Sequence, residues 1–396
     1  MMQISPETQL FIREHSSDDV RVLALQAKKY PDIDMPTAIT QIAGRKVAAE
    51  KIPSWWEIEK IWYPKHLSLE QCSSEITARY KARLLQGDSL TDLTGGFGID
   101  CSFLATGFKS ATYVERQEEL CEIAAHNFPV LNLNHINIKN EDGVTYLQVM
   151  SPVDSLFLDP ARRNEHGGKT VAISDCEPNV AKLEGLLLSK ANRIMIKLSP
   201  MLDLSQALKE LPHTQEVHII SVNNECKELL LLLGQTAPEE IPVHCVNLST
   251  KGEQEKQLFV FTREQEQHSE CSYTDTLGNY LYEPNASLLK AGAFRSIAAA
   301  YSVKKLHPNS HLYTSETQIE GFPGRTFRII NRCSLNKKEI KENLSDLKKA
   351  NITVRNFPAT VAELRKRIKL AEGGDTYLFA STLNDGQKIL IRCGKV

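Results

Sequence analysis

Residues 90–100, LTDLTGGFGID, narrow the possible folds of this chain more than any other segment. A β-prone apolar run ends in an acid, and three glycines, Gly95, Gly96 and Gly98, follow within four positions. A helical pattern then begins. Glycine tolerates positive φ and lets the backbone come close to a ligand. A strand turning through such a loop directly into a helix is how a doubly wound α/β domain opens its first ligand site. A dinucleotide fingerprint requires G-x-G-x-x-G. Here Gly96-Phe97-Gly98 is followed by Ile99, Asp100 and Cys101, so the third glycine is missing.

The surrounding pattern agrees. Between 86 and 262, β runs at 89–94, 111–115, 136–140, 155–159, 193–198, 216–222, 228–233 and 258–262 alternate with helices at 100–106, 117–128, 179–190 and 204–211. That alternation predicts a parallel sheet covered on both faces. The closer spacing of the last runs predicts an antiparallel hairpin at one sheet edge, although 228–233 by itself reads as strand or buried helix.

Residues 1–85 read as helical, from the spacing of Val20, Leu23 and Leu25 and of Ile39, Ile42 and Val47. Pro31, Pro36 and Pro53 punctuate them. Trp55, Trp56, Trp62 and Tyr63 are expected to pack this piece onto the next domain. Residues 263–319 read as a polar connector that ends in a helix from Asn285 to about 301, with Asn285 as its cap. Residues 320–396 form a small α+β piece, with strands at 327–331, 352–357, 377–382 and 389–393 and helices at 337–349 and 361–370. Asn384-Asp385-Gly386 marks its tight turn. The expected division is thus 1–85, 86–262, 263–319 and 320–396.

Composition excludes several classes. The formal net charge is −2, but it is unevenly spread: residues 301–396 carry 18 Lys+Arg against 9 Asp+Glu. A basic end on an acidic body suits an anionic partner. Nine scattered cysteines without a C-x-x-C pair argue against structural zinc and against a disulfide scaffold. No apolar run reaches the ~20 residues of a membrane span. The N-terminal residues lack the basic start and apolar core of a signal peptide, so the chain reads as cytoplasmic. No metal and no membrane partner is expected.

The pattern Asp92-x-Thr94-Gly95-Gly96-x-Gly98 resembles motif I of class I S-adenosylmethionine (SAM) dependent methyltransferases. Such a cofactor offers an adenine, a ribose diol and a charged methionine end. Gly95, Gly96 and Gly98 would supply backbone donors, and Asp92 or Asp100 would take the methionine ammonium. Glu115, ending the second strand, would accept both ribose hydroxyls. It stands 23 residues after Asp92, about one β-α-β step. Asp142, after the third strand, would meet the adenine amino group. Thr94, Phe97, Arg116 and Gly143 adjoin these residues and complete the expected cofactor set.

The fourth strand continues into DPARR. Methyltransferases acting on exocyclic amino groups often carry (D/N/S)-P-P-(Y/F/W) there. Asp159-Pro160 keeps the first half and Ala161-Arg162 replaces the second. Asp159 would orient the nucleophile and accept its proton, and Pro160 would fix the neighbouring carbonyl. Arg162 would stack on a base or hold a phosphate. Arg163 and Lys169 add charge to the same loop. Lys197, at the end of the fifth strand, reads as a substrate-phosphate contact or a simple surface lysine. Cys176 is the one candidate nucleophile for transfer to carbon, and an incidental cysteine is the favoured reading.

The order SSEITARYKA (73–82), DLTGGFGID (92–100), VERQ (114–117), LDPARR (158–163), KLSP (197–200), ECKEL (225–229) and YLYEPNASLLKAG (280–292) resembles bacterial THUMP-like-domain class I SAM-dependent methyltransferases over nearly the whole chain. The DLTGGFGID block also looks like that of RNA guanine methyltransferases. The resemblance implies a Rossmann-like class I methyltransferase sheet followed by a small α+β, ferredoxin-like and THUMP-like module. It further implies SAM as cofactor and a base nitrogen of structured RNA (tRNA or rRNA) as target. By the same resemblance, Ser73, Ser74, Tyr80 and Lys81 cover the cofactor, with Tyr80 equally readable as core. The alternatives are a methyltransferase of a small molecule or protein side chain, and a SAM- or RNA-binding protein without turnover.

Overall fold

The glycine loop lies where its sequence predicts, between a parallel strand and a helix. The computed structural model describes residues 4–162, 173–250 and 256–396, and of Arg162 the backbone only. Two units are distinguished: Met1–Gln215 with Leu229–Pro238, and Glu216–Glu228 with Glu239–Val396.

In the first unit, β1 (Ser89–Asp92), β2 (Ser110–Glu115), β3 (Ile136–Asn140) and β4 (Val153–Leu158) run parallel. The strand Ala191–Leu198 continues the sheet beside β4, also parallel. The strand Glu225–Leu233 pairs antiparallel with it, from Ile194↔Leu233 to Leu198↔Leu229. Residues 228–233 are therefore strand. Their five leucines, Leu229 to Leu233, are all fully buried, which is why they show no alternation to read. The chain turns at Asn223 and Asn224, both at positive φ (50° and 67°). Asparagine tolerates that region better than most residues, and a two-residue hairpin turn requires it.

The N-terminal helices belong to the same unit. They are Pro6–Glu14, Val20–Leu25, Met35–Lys51, Pro53–Trp56, His66–Gln71 and Glu75–Ala82. Ser5, Asp19 and Asp34 cap the first three by accepting backbone amides. Pro6, Pro36 and Pro53 stand in first turns, where a missing N–H costs nothing. Trp55 and Tyr63 pack around Phe97 of the glycine loop, with ring centroids 5.2 and 6.3 Å away, in one cluster with Ile99 and Ile123. Trp62 stacks on His126 at 3.7 Å, whereas Trp56 is exposed.

In the second unit, Pro242–Leu248 lies between Thr214–Val222, to which it is parallel, and Lys256–Thr262, to which it is antiparallel. A second, seven-stranded sheet runs in the order Lys304–Lys305, Tyr313–Ser315, Tyr280–Pro284, Gly324–Cys333, Lys388–Lys395, Thr376–Thr382, Asn351–Arg355. Phe327, Phe379, Ile389 and Ile391 fill one face. Leu378, Ala380 and Leu390 fill the other, with Leu344 and Leu364 from the helices Lys337–Leu344 and Val361–Ile368. Alternate residues of Thr376–Thr382 thus serve opposite faces, as a pleated strand dictates. Glu283, buried in this sheet, binds the guanidinium groups of Arg325 and Arg355.

Residues 263–319 are more than a connector, because Tyr280–Pro284 is an inner strand of that sheet. The helix expected over 285–301 starts after its Asn285 cap but breaks at Gly292 (φ 77°), giving Ala286–Ala291 and Arg295–Tyr301. The helix Gly143–Val149 and the strand Pro242–Leu248 are further elements that the sequence pattern does not announce. No helix among the described residues is long and apolar enough to cross a membrane.

Candidate functional site

The site forms at the carboxyl ends of the parallel strands, where an open α/β sheet binds its ligands. Asp92 ends β1 with its side chain fully buried. One carboxylate oxygen, Oδ1, accepts the Thr94 amide at 3.0 Å. The other, Oδ2, accepts no hydrogen bond among the described residues. Burial pushes this carboxyl up to about 8, against the Thr94 hydrogen bond that favours the ion.

The loop itself is tightly determined. The Gly95 amide donates to Val114 O at 2.8 Å, and Gly98 N donates to Gly95 O at 2.9 Å. A Cβ on Gly95 would stand 2.2 Å from the Tyr113 ring, whose hydroxyl donates to Gly96 O at 2.5 Å. Gly96 takes φ 54° and Gly98 takes φ 85°. A Cβ at Gly96 would meet nothing nearer than 3.8 Å, so one side of the loop is open.

Glu115, at the end of β2, holds the loop from below. Its Oε2 accepts Gly96 N at 2.9 Å and its Oε1 accepts Gln117 N at 2.8 Å. Asp142 caps the helix Gly143–Val149, with Oδ1 accepting the amides of Val144 and Thr145 at 3.0 Å. Gly143 is required by close approach, since a Cβ there would lie 2.1 Å from Leu93 O. Phe97, expected in the cofactor set, is buried in the aromatic cluster with Trp55 and Tyr63. Arg116 is exposed, 3.8 Å from Glu177.

Thr94 joins the loop to the end of β4: its hydroxyl accepts the Asp159 amide at 2.6 Å. The Asp159 side chain is about one-third exposed and ion-paired with Lys197. Burial pushes its carboxyl upward, against the Lys197 ammonium. Lys197 also reaches Asp100 at 3.2 Å and the Ser73 hydroxyl at 3.1 Å. Lys81, with no exposed surface, lies 3.0 Å from Asp100 and 2.8 Å from Ser73. Ser73 donates to Asp100 at 2.7 Å. Desolvation opposes the Asp100 anion, but Lys197, Lys81 and Ser73 outweigh it and hold the carboxyl well below the usual range.

This network changes three expectations. Lys197 is buried in ion pairs and does not present its ammonium to an incoming phosphate. Of the two acids open to a methionine ammonium, Asp100 is already engaged by two lysines, leaving Asp92 with the vacant oxygen. Ser73 and Lys81, expected over a cofactor, are buried and bound to Asp100 as part of this charge network, and Tyr80 is buried. The alternation of strands could not reveal this network, since Ser73 and Lys81 come from a helical segment before the sheet begins.

Pro160 follows Asp159 and is buried. The backbone of Ala161–Arg162 pairs antiparallel with Cys176–Glu177, setting Arg162 opposite Cys176. The Cys176 side chain is buried. Arg163 and Lys169 lie outside the described residues.

Residues 280–323 match a family described as a ferredoxin-like domain, and residues 324–395 match a THUMP domain-like family. No curated protein matches the chain. Among solved structures, a putative methyltransferase from Porphyromonas gingivalis W83 is 35% identical over 100% of both chains, with a TM-score of 0.87. A modification subunit of a putative type I restriction enzyme from Vibrio vulnificus YJ016 is 13% identical over 51% of this chain and 56% of its own, with a TM-score of 0.36. TrmK from M. capricolum, solved with S-adenosyl-homocysteine, is 11% identical over 45% and 71%, with a TM-score of 0.32. The full-length match and the two C-terminal domains agree with the Rossmann-like sheet described above: the chain belongs to the family of class I methyltransferases that carry a THUMP-like domain.

Proposed function

We propose that this protein transfers a methyl group from SAM to a base nitrogen of structured RNA, tRNA or rRNA. The observation that carries the cofactor reading is the vacant, buried oxygen of Asp92 beside a glycine loop with an open side. A buried carboxylate with no partner on one oxygen is costly, and a cationic ligand end relieves that cost. In this reading Asp92 holds the methionine ammonium, and the loop contributes close approach instead of donors, because the amides of Gly95, Gly96 and Gly98 already donate to Val114 O, Glu115 and Gly95 O. Glu115, already oriented by two backbone amides, receives the ribose diol, and Asp142 lies toward the adenine.

SAM supplies a methyl group on a sulfonium, already activated for displacement. The protein's share is alignment and removal of one proton. Asp159 accepts a hydrogen bond from the target amino group. Lys197 fixes its position and stabilises its charge, and the Thr94 hydroxyl pins its amide to the cofactor loop. RNA as substrate rests on the THUMP-like domain and on the exposed cations Lys337, Lys338, Lys348, Lys349, Lys366, Arg367 and Lys369 of the C-terminal region, which suit a phosphate backbone.

Incubation with labelled SAM and total RNA, comparing wild type with Asp159→Ala, tests the reading. Label in RNA that falls at least about a hundredfold in the variant supports it, a loss typical of a positioned acid–base group. Label in protein or small molecules instead, or SAM binding without transfer, refutes it.

A further inference from the structure

A second constellation lies in the other unit. Glu216 and His218 are two residues apart on the strand Thr214–Val222, so both side chains leave the same face of the sheet. His244, on the parallel neighbour Pro242–Leu248, pairs in register with His218 and shares that face. The imidazole rings stack with centroids 4.3 Å apart and planes 10° apart. His218 Nε2 lies 3.2 Å from Glu216 Oε2, and His244 Nε2 lies 4.0 Å from the same oxygen. One donor atom from each residue falls within 4.8 Å of the other two.

We propose that Glu216, His218 and His244 form a binding site for a divalent first-row transition ion, zinc being the ion of choice. Two imidazole nitrogens and a carboxylate oxygen are a donor set that suits zinc. With metal–ligand bonds of about 2.0–2.1 Å, tetrahedral ligand atoms stand about 3.3 Å apart. The Glu216–His218 separation already meets that spacing; His244, 4.0 Å from Glu216, must close on both partners and turn its ring out of the stack on His218 so that its in-plane lone pair meets the ion. His218 is almost fully buried, while the side chains of His244 and Glu216 are 24% and 29% exposed. One ligand is therefore anchored in the sheet and two border the solvent from which an ion enters. Three protein ligands leave a fourth position for water or a substrate atom. The ion would also tie two neighbouring strands together. The lack of C-x-x-C pairs does not bear on this site, which uses no thiolate.

The test uses the full-length protein stripped with chelator. Calorimetric titration with zinc is expected to show one site per chain. His244→Ala and Glu216→Gln are each expected to weaken it at least about tenfold, since even outer-shell changes cost that much. Zinc should raise the melting temperature of the wild type and not that of either variant. Mapping of diethylpyrocarbonate modification on the wild type requires no variant, and zinc should protect His244. Absence of zinc binding, equal affinity in all three proteins, or equal His244 labelling with and without zinc would each overturn the proposal.

Discussion

Replacing Asp92 by asparagine should make the protein more stable while removing its grip on the cofactor. The Asp92 carboxyl stands at about 8 when folded, against an ordinary 3.8. Below 3.8 it is protonated in both states and costs nothing. Between 3.8 and 8 the unfolded chain ionises it and the folded chain does not, so stability falls by about 1.4 kcal/mol per pH unit as pH rises. Above 8 the full cost is in place. At pH 7 the cost is about 4 kcal/mol and at pH 5 it is about 2 kcal/mol. An asparagine amide avoids it but leaves a buried N–H unpaired at the Oδ2 position, costing about 1–3 kcal/mol. Asp92→Asn should therefore gain about 2 kcal/mol at pH 7 and roughly nothing at pH 5. The change between the two pH values does not depend on the amide cost, which is the same at both. Urea titration followed by tryptophan fluorescence is the assay. Trp55, Trp56 and Trp62 are the only tryptophans, and all belong to the first unit, so the signal reports that unit alone. A difference between variant and wild type that stays constant from pH 5 to pH 7 would refute the reasoning. So would a variant that still binds SAM with wild-type affinity.

Lys81→Met should cost about 3–5 kcal/mol at pH 7, because it leaves buried Asp100 with one ammonium instead of two. Combined with Asp100→Asn the loss should fall well short of the sum of the two single losses, and additive urea midpoints would refute the pairing. Gly143→Ala forces a methyl to 2.1 Å from the Leu93 carbonyl and should cost about 2 kcal/mol or more. Gly96→Ala, with open space but φ 54°, should cost about 1 kcal/mol; thermal melting in the reverse order would be inconsistent with the loop geometry. Affinity for tRNA should fall linearly on a log–log salt plot, and glutamate at Lys348, Lys349 and Lys366 should flatten the slope by about one for each phosphate no longer engaged. No dependence on salt would refute RNA as the ligand of that face. Deleting 320–396 is a poorer test, because it removes the strand that pairs with one side of Tyr280–Pro284.

The strand–loop–helix at 90–100 is readable directly because its signals are local: an acid, glycines at positive φ, then helical spacing. The acids at 92, 115, 142 and 159 are legible for the same reason, each closing a β run or opening the next turn. What each acid does is not readable, because that depends on partners distant in the chain. Asp100 and Lys197 are 97 residues apart, and Ser73 and Lys197 are 124 apart. Tyr280–Pro284 is hidden by its turn-rich approach and by the proline at its end. Gly143–Val149 is hidden because Val, Thr and Tyr favour strands, and the Asp142 cap with buried Leu147 overrides that preference. His218 and His244 are separated by 26 positions, and only the register of two parallel strands brings them together.

The ammonium of Lys81 reaches the buried Asp100 carboxylate, just past the glycine loop, from a helix that precedes the first strand. A fragment trimmed to begin at β1 would look like a whole Rossmann unit on a topology diagram. It would nonetheless lack one of the two cations on Asp100, the Ser73 hydroxyl between them, and the Trp55 and Tyr63 rings that wedge Phe97. The leading helices are thus inseparable from the parallel sheet that follows them, and any minimal version or chimera must retain residues 53–82 or supply a replacement lysine from elsewhere.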